Sequence, residues 1–299
     1  MATQPISVRP ADEPIDDGAN PAPASSRPRM STRNRLLFFL TAWLLVLMPF
    51  LFWWGTWFGR VLTPKEMGEY LNDNAHPRHI QHAIVQLGQR MSQHDANAAR
   101  WYGDLVRLAS NSHEEVRSTD AWVMGQDTAG PGFHEALLKM LNDPSMVVRG
   151  NAALSLVRFG DYSGKPHIVS LLQPVVVTTA SSGRVTDTAG VGTAVHQGGL
   201  IAKLKSDVGQ TQELRSPITG RVRILSAVTG TSVKGGTAIA TVDPGDEQVW
   251  EALRALYLIG QVADLSSIRP YQRELPEVSV RLRQQALDTE RAIQERARK

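Results

Sequence analysis

The chain has 299 residues, a formal net charge of +3, 42% hydrophobic residues and no cysteine. The missing thiols exclude disulfide staples, thiolate metal sites and a cysteine nucleophile, and so small a net charge gives no reason to invoke nucleic acid as a partner. The length leaves room for two or three modules, among which the apolar residues are unevenly spread.

Residues 1–35 are rich in Pro, Ser, Ala and charge and nearly devoid of large apolar side chains. Such a composition cannot offset the entropy of ordering, which predicts a disordered cytoplasmic tail. From Leu36 to Phe58 the run LLFFLTAWLLVLMPFLFWWGTWF extends over 23 residues without a charge. At about 1.5 Å rise per residue a helix of that length crosses the roughly 30 Å hydrocarbon core, so residues 36–58 are expected to be a transmembrane helix in contact with the lipid bilayer. The run is too long for a signal-peptide core, and no small-x-small cleavage site follows it. Pro49 is tolerable in a membrane helix, and Trp53, Trp54 and Trp57 suit the interface at one end. Arg27, Arg29, Arg33 and Arg35 precede the run, against Arg60 and Lys65 beyond it. That bias predicts a single-pass protein of the inner (cytoplasmic) membrane with a cytoplasmic N-terminus and residues 59–299 exported, into the periplasm of a Gram-negative host.

Residues 64–173 show paired amphipathic segments separated by short turns. In the clearest pair, Phe133, Leu137, Leu138 and Leu141 form one apolar stripe, Asn142-Asp143-Pro144 breaks it, and Val148, Ala152, Leu156 and Phe159 form the second. A similar pair precedes it, with Val116-Arg117 and Ala121 spaced like Val148-Arg149 and Ala153, 32 residues apart. A weaker pair spans Tyr70 to Met91. These segments resemble HEAT repeats, whose second helix typically opens Val-Arg with a small residue four positions later; the opening is absent from the Tyr70–Met91 pair. The resemblance implies an α-solenoid offering an extended face to another protein. The arginines are expected to pack their stems between helices while their heads bond neighbouring turns.

After Gln173-Pro174 the composition shifts to Val, Thr, Ser and Gly, the makeup of short strands and tight turns. Two stretches read alike, SGRVTDTAGVGTAVHQGGLIAKL and TGRVRILSAVTGTSVKGGTAIATV, matching Gly183, Gly192 and Gly198-Gly199 to Gly220, Gly230 and Gly235-Gly236. This duplication predicts two β-units about a pseudo-twofold axis, each too small to bury a core alone. The segment SPITGRV followed by GTSVKGGTAIATV resembles the second half of a biotinyl/lipoyl-like barrel-sandwich hybrid, in the version found in periplasmic adaptor (membrane fusion) proteins of export pumps. The resemblance covers residues 175–245. Adaptors usually carry a long helical hairpin between the halves, whereas here only the polar stretch from Lys205 to Leu214 joins them.

Residues 246–299 return to a helical pattern. Val249, Leu253, Leu256 and Ile259 share a face that ends at Gly260, a match to Gly160. This segment looks like the second helix of a HEAT unit whose first helix is KPHIVSLLQ, residues 165–173. The β-module is then expected to be inserted in the loop of one repeat, with LSSIRPYQREL and EVSVRLRQQALDTERAI closing the array. The expected class is α+β: a transmembrane helix, HEAT-like repeats and an inserted barrel-sandwich domain.

No chemistry-bearing motif stands out. Lys203 and Lys205 are the nearest candidates for a carrier lysine, but their contexts are Ala-Lys-Leu and Leu-Lys-Ser, and Pro217 lies twelve residues past Lys205. Solvated lysines are the expectation. His76, His79 and His82 are spaced to share part of a helix face, yet the pairs lack a third metal ligand and Pro77 starts the helix after His76, so a hydrated face is expected. Gly190-Val191-Gly192 is followed by no helix pattern and reads as a turn. Catalytic, cofactor and metal residues are accordingly expected to be none. The expected function is a non-catalytic scaffold or adaptor subunit of a cell-envelope complex, binding other membrane or envelope proteins, transporter subunits among them. The alternatives are an accessory subunit of a membrane-bound enzyme and a lipoyl or biotin carrier.

Overall fold

The computed structural model describes residues 31–57, 60–206 and 209–298. Residues 1–30 of the expected tail, with Arg27 and Arg29, fall outside the described residues, as do the side chains of Trp53, Trp54 and Trp57; residues 32–35, expected in the tail, are helical. The chain divides into two units, Met1–Arg60 and Val61–Lys299. The described part of the first is one helix, α1 (Thr32–Trp57), which continues through Pro49. It is long and apolar enough to cross a membrane.

The second unit is mixed α+β. Its helices come in pairs: α2 (Pro64–Leu71) with α3 (Pro77–Ser92), α4 (Tyr102–Leu108) with α5 (Glu114–Met124), α6 (Phe133–Met140) with α7 (Met146–Arg158), and α8 (Lys165–Ser170) with α9 (Asp246–Ile259). A short α10 (Leu265–Ile268) and a long α11 (Val280–Ala297) follow. Local chemistry sets the starts: Thr63 and Glu66 form a reciprocal capping box before α2, and Ser145 Oγ accepts from Val147 N and Val148 N at the head of α7. The second helices pack in succession, α3 on α5, α5 on α7, α7 on α9 and α9 on α11. Val116 and Val148 occupy matching buried positions, third in α5 and α7, and the apolar faces of α2–α7 merge into one core. Met140 takes the buried place at the end of α6, while Leu138 and Leu141 are only partly covered.

Between α8 and α9 the chain forms eight strands: β1 (Val175–Thr178), β2 (Gly183–Thr188), β3 (Ala194–Val195), β4 (Leu200–Lys205), β5 (Thr211–Arg215), β6 (Gly220–Leu225), β7 (Ser232–Val233) and β8 (Ala238–Pro244). They make two antiparallel sheets, ordered β1-β8-β6-β3 and β5-β4-β2-β7. The pairing is reciprocal. β3 joins the sheet of β6 while β7 joins that of β2, and β1 pairs with β8 as β5 pairs with β4. The repeated unit therefore has four strands, and the stretch expected to be a mere joiner is strand β5, the counterpart of β1.

The duplication has a different register from the one the glycine pairs suggest. Gly192 N donates to Val222 O and Gly230 N to Val185 O; Gly198 N donates to Ser216 O and Gly236 N to Thr179 O. All four glycines have positive φ, so Gly198 corresponds to Gly236 and Gly199 to Thr237. The second unit carries one extra residue between β6 and β7. Val185, Ile201, Leu204, Val222, Ile239 and Val242 from both units fill a single core.

The helices on either side of the β-region share another core, in which Ile168, Leu171 and Leu172 meet Val249, Leu253 and Leu256. Gln248 Nε2 donates to Leu171 O at 2.9 Å and Tyr271 Oη to Leu172 O at 2.7 Å. Gly260 does not repeat Gly160. Gly160 is left-handed with φ +72, whereas Gly260 is extended at φ −62, and a Cβ there would lie 2.6 Å from Ile293 Cδ1. The same Cβ would lie 2.5 Å from the backbone carbonyl oxygen of Leu256, so the end of α9 itself and the approach of α11 both call for glycine at 260.

Candidate docking face and histidine cluster

Arg117 and Arg149 bind turns, as their positions in the pairs suggest. Arg117 Nη1 donates to the carbonyls of Asn111 and Ser112, and Arg149 Nη1 to those of Asp143 and Pro144, the same two positions upstream in each case. Arg117 also forks onto the Asp143 carboxylate at 2.6 and 3.0 Å, tying one helix pair to the next turn. Burial alone would raise the Asp143 pKa, but the Arg117 bonds and the Ser145 N–H outweigh it and hold the carboxyl below the usual range.

The same turns carry the β-region. Met146 and Val147, at the start of α7, pack against the β core. Gln197, in the turn between β3 and β4, donates to Glu114 Oε1, which also accepts from Ser145 Oγ at 2.9 Å. Beside these contacts runs a cavity lined by Glu114, Met146, Arg149, Gln197, Arg215 and Pro217, to which the helical ends and the β-region both contribute charged and apolar groups.

Lys203 lies within β4, opposite Asp187 and Glu213, while Lys205 is the last residue of that strand, opposite Arg184 and Thr211, where the turn to β5 begins. Glu213 belongs to strand β5, where it pairs with Arg215 at 2.5 Å. Gly192 ends a turn, as its neighbours suggest.

The three histidines part company. His82 Nε2 lies 2.8 Å from Gln86 Nε2. His76 and His79 instead converge on Asp73, with Nδ1 atoms 2.9 and 2.7 Å from Asp73 Oδ2. The hydrogen bonds from His79 and then His76 draw the Asp73 pKa down. Asp73 sits in the turn between α2 and α3, His76 caps α3 and His79 lies in its first turn. Tyr70 stacks on His79 with centroids 4.4 Å apart. Sequence reasoning missed Asp73 because it sought ligands along the helix and not in the turn before it; the spacing Asp-x-x-His-x-x-His was the available signal.

Asp120, midway along α5, is wholly buried, and neither carboxylate oxygen finds a hydrogen-bond partner among the described residues. Burial pushes its pKa well above the ordinary value, against a smaller pull from Arg107.

No protein-family model matches the chain, and no curated protein matches its sequence. Among solved structures, a single-chain, multi-domain long-chain acyl-CoA carboxylase is similar over 35% of this chain and 10% of its own, with 19% identity and a TM-score of 0.23. This chain thus spans about a tenth of the carboxylase's length. An engineered protein is similar over 77% of this chain and 78% of its own, with 15% identity and a TM-score of 0.36.

Proposed function

We propose that the protein is a membrane-anchored, non-catalytic scaffold of a cell-envelope complex, with HEAT-like helical repeats and an inserted biotinyl/lipoyl-like barrel-sandwich module that together bind a partner. The observation that carries this reading is the fixed attachment of the β-region. It leaves and re-enters the helices through the paired strands β1 and β8, and it is held a second time by Met146, Val147 and the Gln197–Glu114 bond. Two such anchorages favour one rigid surface over a swinging module. The position of Lys203 inside a strand speaks against it as a carrier lysine, since a modifying enzyme needs its lysine at an accessible tip.

In this reading α1 is a single-pass anchor in the inner membrane, the N-terminus is cytoplasmic and residues 59–299 lie in the periplasm. The partners are other envelope or transporter proteins, and nucleic acid is not among them. The test is photo-crosslinking from Arg215, beside the shared cavity, and from an exposed helical position, Trp122, in membranes of the native host. Both positions should capture one and the same membrane or envelope protein. Capture from neither, with the protein solitary after mild-detergent extraction, would sink the scaffold reading.

A further inference from the structure

We propose that Asp73, His76 and His79 form a binding site for a divalent zinc ion at the corner between α2 and α3, a site independent of the scaffold reading. The three groups come from a span of seven residues, and their ligand atoms all lie within 4.8 Å of one another. Zinc holds nitrogen at about 2.0–2.1 Å and carboxylate oxygen at about 2.0–2.2 Å, which in a tetrahedron sets ligand atoms roughly 3.3 Å apart. The carboxylate-to-imidazole separations of 2.7 and 2.9 Å fall short of that by only about half an ångström. All three side chains are at least partly exposed, so small rotations open the gap without disturbing the core.

The competing arrangement is a pair of histidines merely hydrogen-bonded to one carboxylate. That arrangement keeps a proton on both Nδ1 atoms; with zinc bound at Nδ1 each neutral ring carries its proton on Nε2 instead, and the divalent ion takes the place of the two N–H donors beside the carboxylate. Two further features suit an ion. Tyr70 stacked on His79 fixes one ligand ring in place, as supporting contacts do in metal sites. A cavity lined by His76, Arg78, His79, His113 and Glu115 offers a path from solvent to the two imidazoles. With two imidazoles, one carboxylate and no thiolate, the donor set suits zinc and other borderline transition ions better than calcium or magnesium, which favour all-oxygen shells.

The experiment uses the full-length protein in detergent micelles, free of any affinity tag, stripped with chelator and titrated with zinc chloride by calorimetry about one pH unit above the ordinary histidine pKa. Cobalt chloride, followed by visible absorption, reports tetrahedral coordination. One ion should bind per chain, and Asp73→Asn, His76→Ala and His79→Ala should each weaken it about ten-fold or more. His134→Ala is the control: His134 pairs with Asp161 alone at 2.8 Å, so its loss should leave zinc affinity unchanged. Thermal unfolding of the metal-free variants separates lost ligation from lost fold. The proposal is overturned if the wild-type chain shows no saturable binding of one zinc, or if folded variants at 73, 76 and 79 bind it as the wild type does.

Discussion

The helical array and the β-region both repeat a short unit, but they use repetition in opposite ways. In the array each second helix leans on the next, α3 to α5 to α7 to α9 to α11, and the links between pairs are local: Ser155 Oγ to Ala121 O, Asn151 Nδ2 to Ser118 O, Thr289 Oγ1 to Leu253 O. In the β-region the two units exchange strands, and Gly192, Gly198, Gly230 and Gly236 each donate to a residue of the other unit. An open series tolerates interruption because each member needs only its neighbours. A closed pair does not, because neither half holds a core alone. The insertion of the second inside the first follows this asymmetry.

The sharpest test of the open series compares its two arginines. Both bind the carbonyls of their own turn, but only Arg117 reaches across to the next, where its side chain and Asp143 are 12% and 8% exposed. Removing one partner of a buried pair strands the other charge, so Arg117→Ala should cost about 3–5 kcal/mol. Arg149→Ala loses carbonyl contacts only and should cost about 1–2 kcal/mol. Urea unfolding followed by helical signal measures both. Equal losses would mean that the Arg117–Asp143 link adds nothing between pairs.

Asp120 breaks the rule that each helix position in the array either packs or bonds. Its folded pKa is raised, so between the unfolded value near ~3.9 and the folded one the native state holds a proton that the unfolded chain has released. Wild-type stability should therefore fall as pH rises through that window. Asp120→Asn, uncharged throughout, should show no such fall, and the gap between the two proteins should widen from pH about 4 upward and close below it. Parallel stability curves from acid to neutral pH would show that the carboxyl is hydrated in the native state.

Much of this organisation is legible in the sequence, and the failures have physical causes. The helix pairs announce themselves through apolar spacing and turn residues, and Val116-Arg117 with Val148-Arg149 marks equivalent places. The duplication in the β-region shows in its glycines, but the register slips by one because Gly198-Gly199 and Gly235-Gly236 look alike while only Gly198 and Gly236 are left-handed. Strand β5 hides behind polar residues because it lies at a sheet edge, with Leu214 its only buried side chain. Asp73 escapes notice since a turn residue has no helical period to reveal which face it joins. Gly260 resembles Gly160 in sequence, yet it is not left-handed; the nearness of the Leu256 carbonyl and of Ile293, neither visible in the sequence, is what excludes a side chain there.

The smallest expected effect tests the asymmetry between open and closed repetition most directly. Val175 lies opposite Val242 in the β1–β8 pair, so the ends of the β-region are neighbours and a short Gly/Ser linker spans them. Replacing residues 175–244 with such a linker leaves Ile168, Leu171, Leu172, Val249 and Leu253 to pack as before, along with the bonds to Leu171 O and Leu172 O. The helices lose their cover over Met146 and Val147 and the Gln197–Glu114 contact. Neither residue is a fully buried core position in the helices, and closure of a short flexible loop changes the entropy little. The helical unfolding transition should stay cooperative and shift by about 1 kcal/mol, the scale of one lost hydrogen bond and its neighbouring contacts. A broad or absent transition would mean that α8 and α9 rely on the β-region to meet, and that the array is closed by it instead of interrupted.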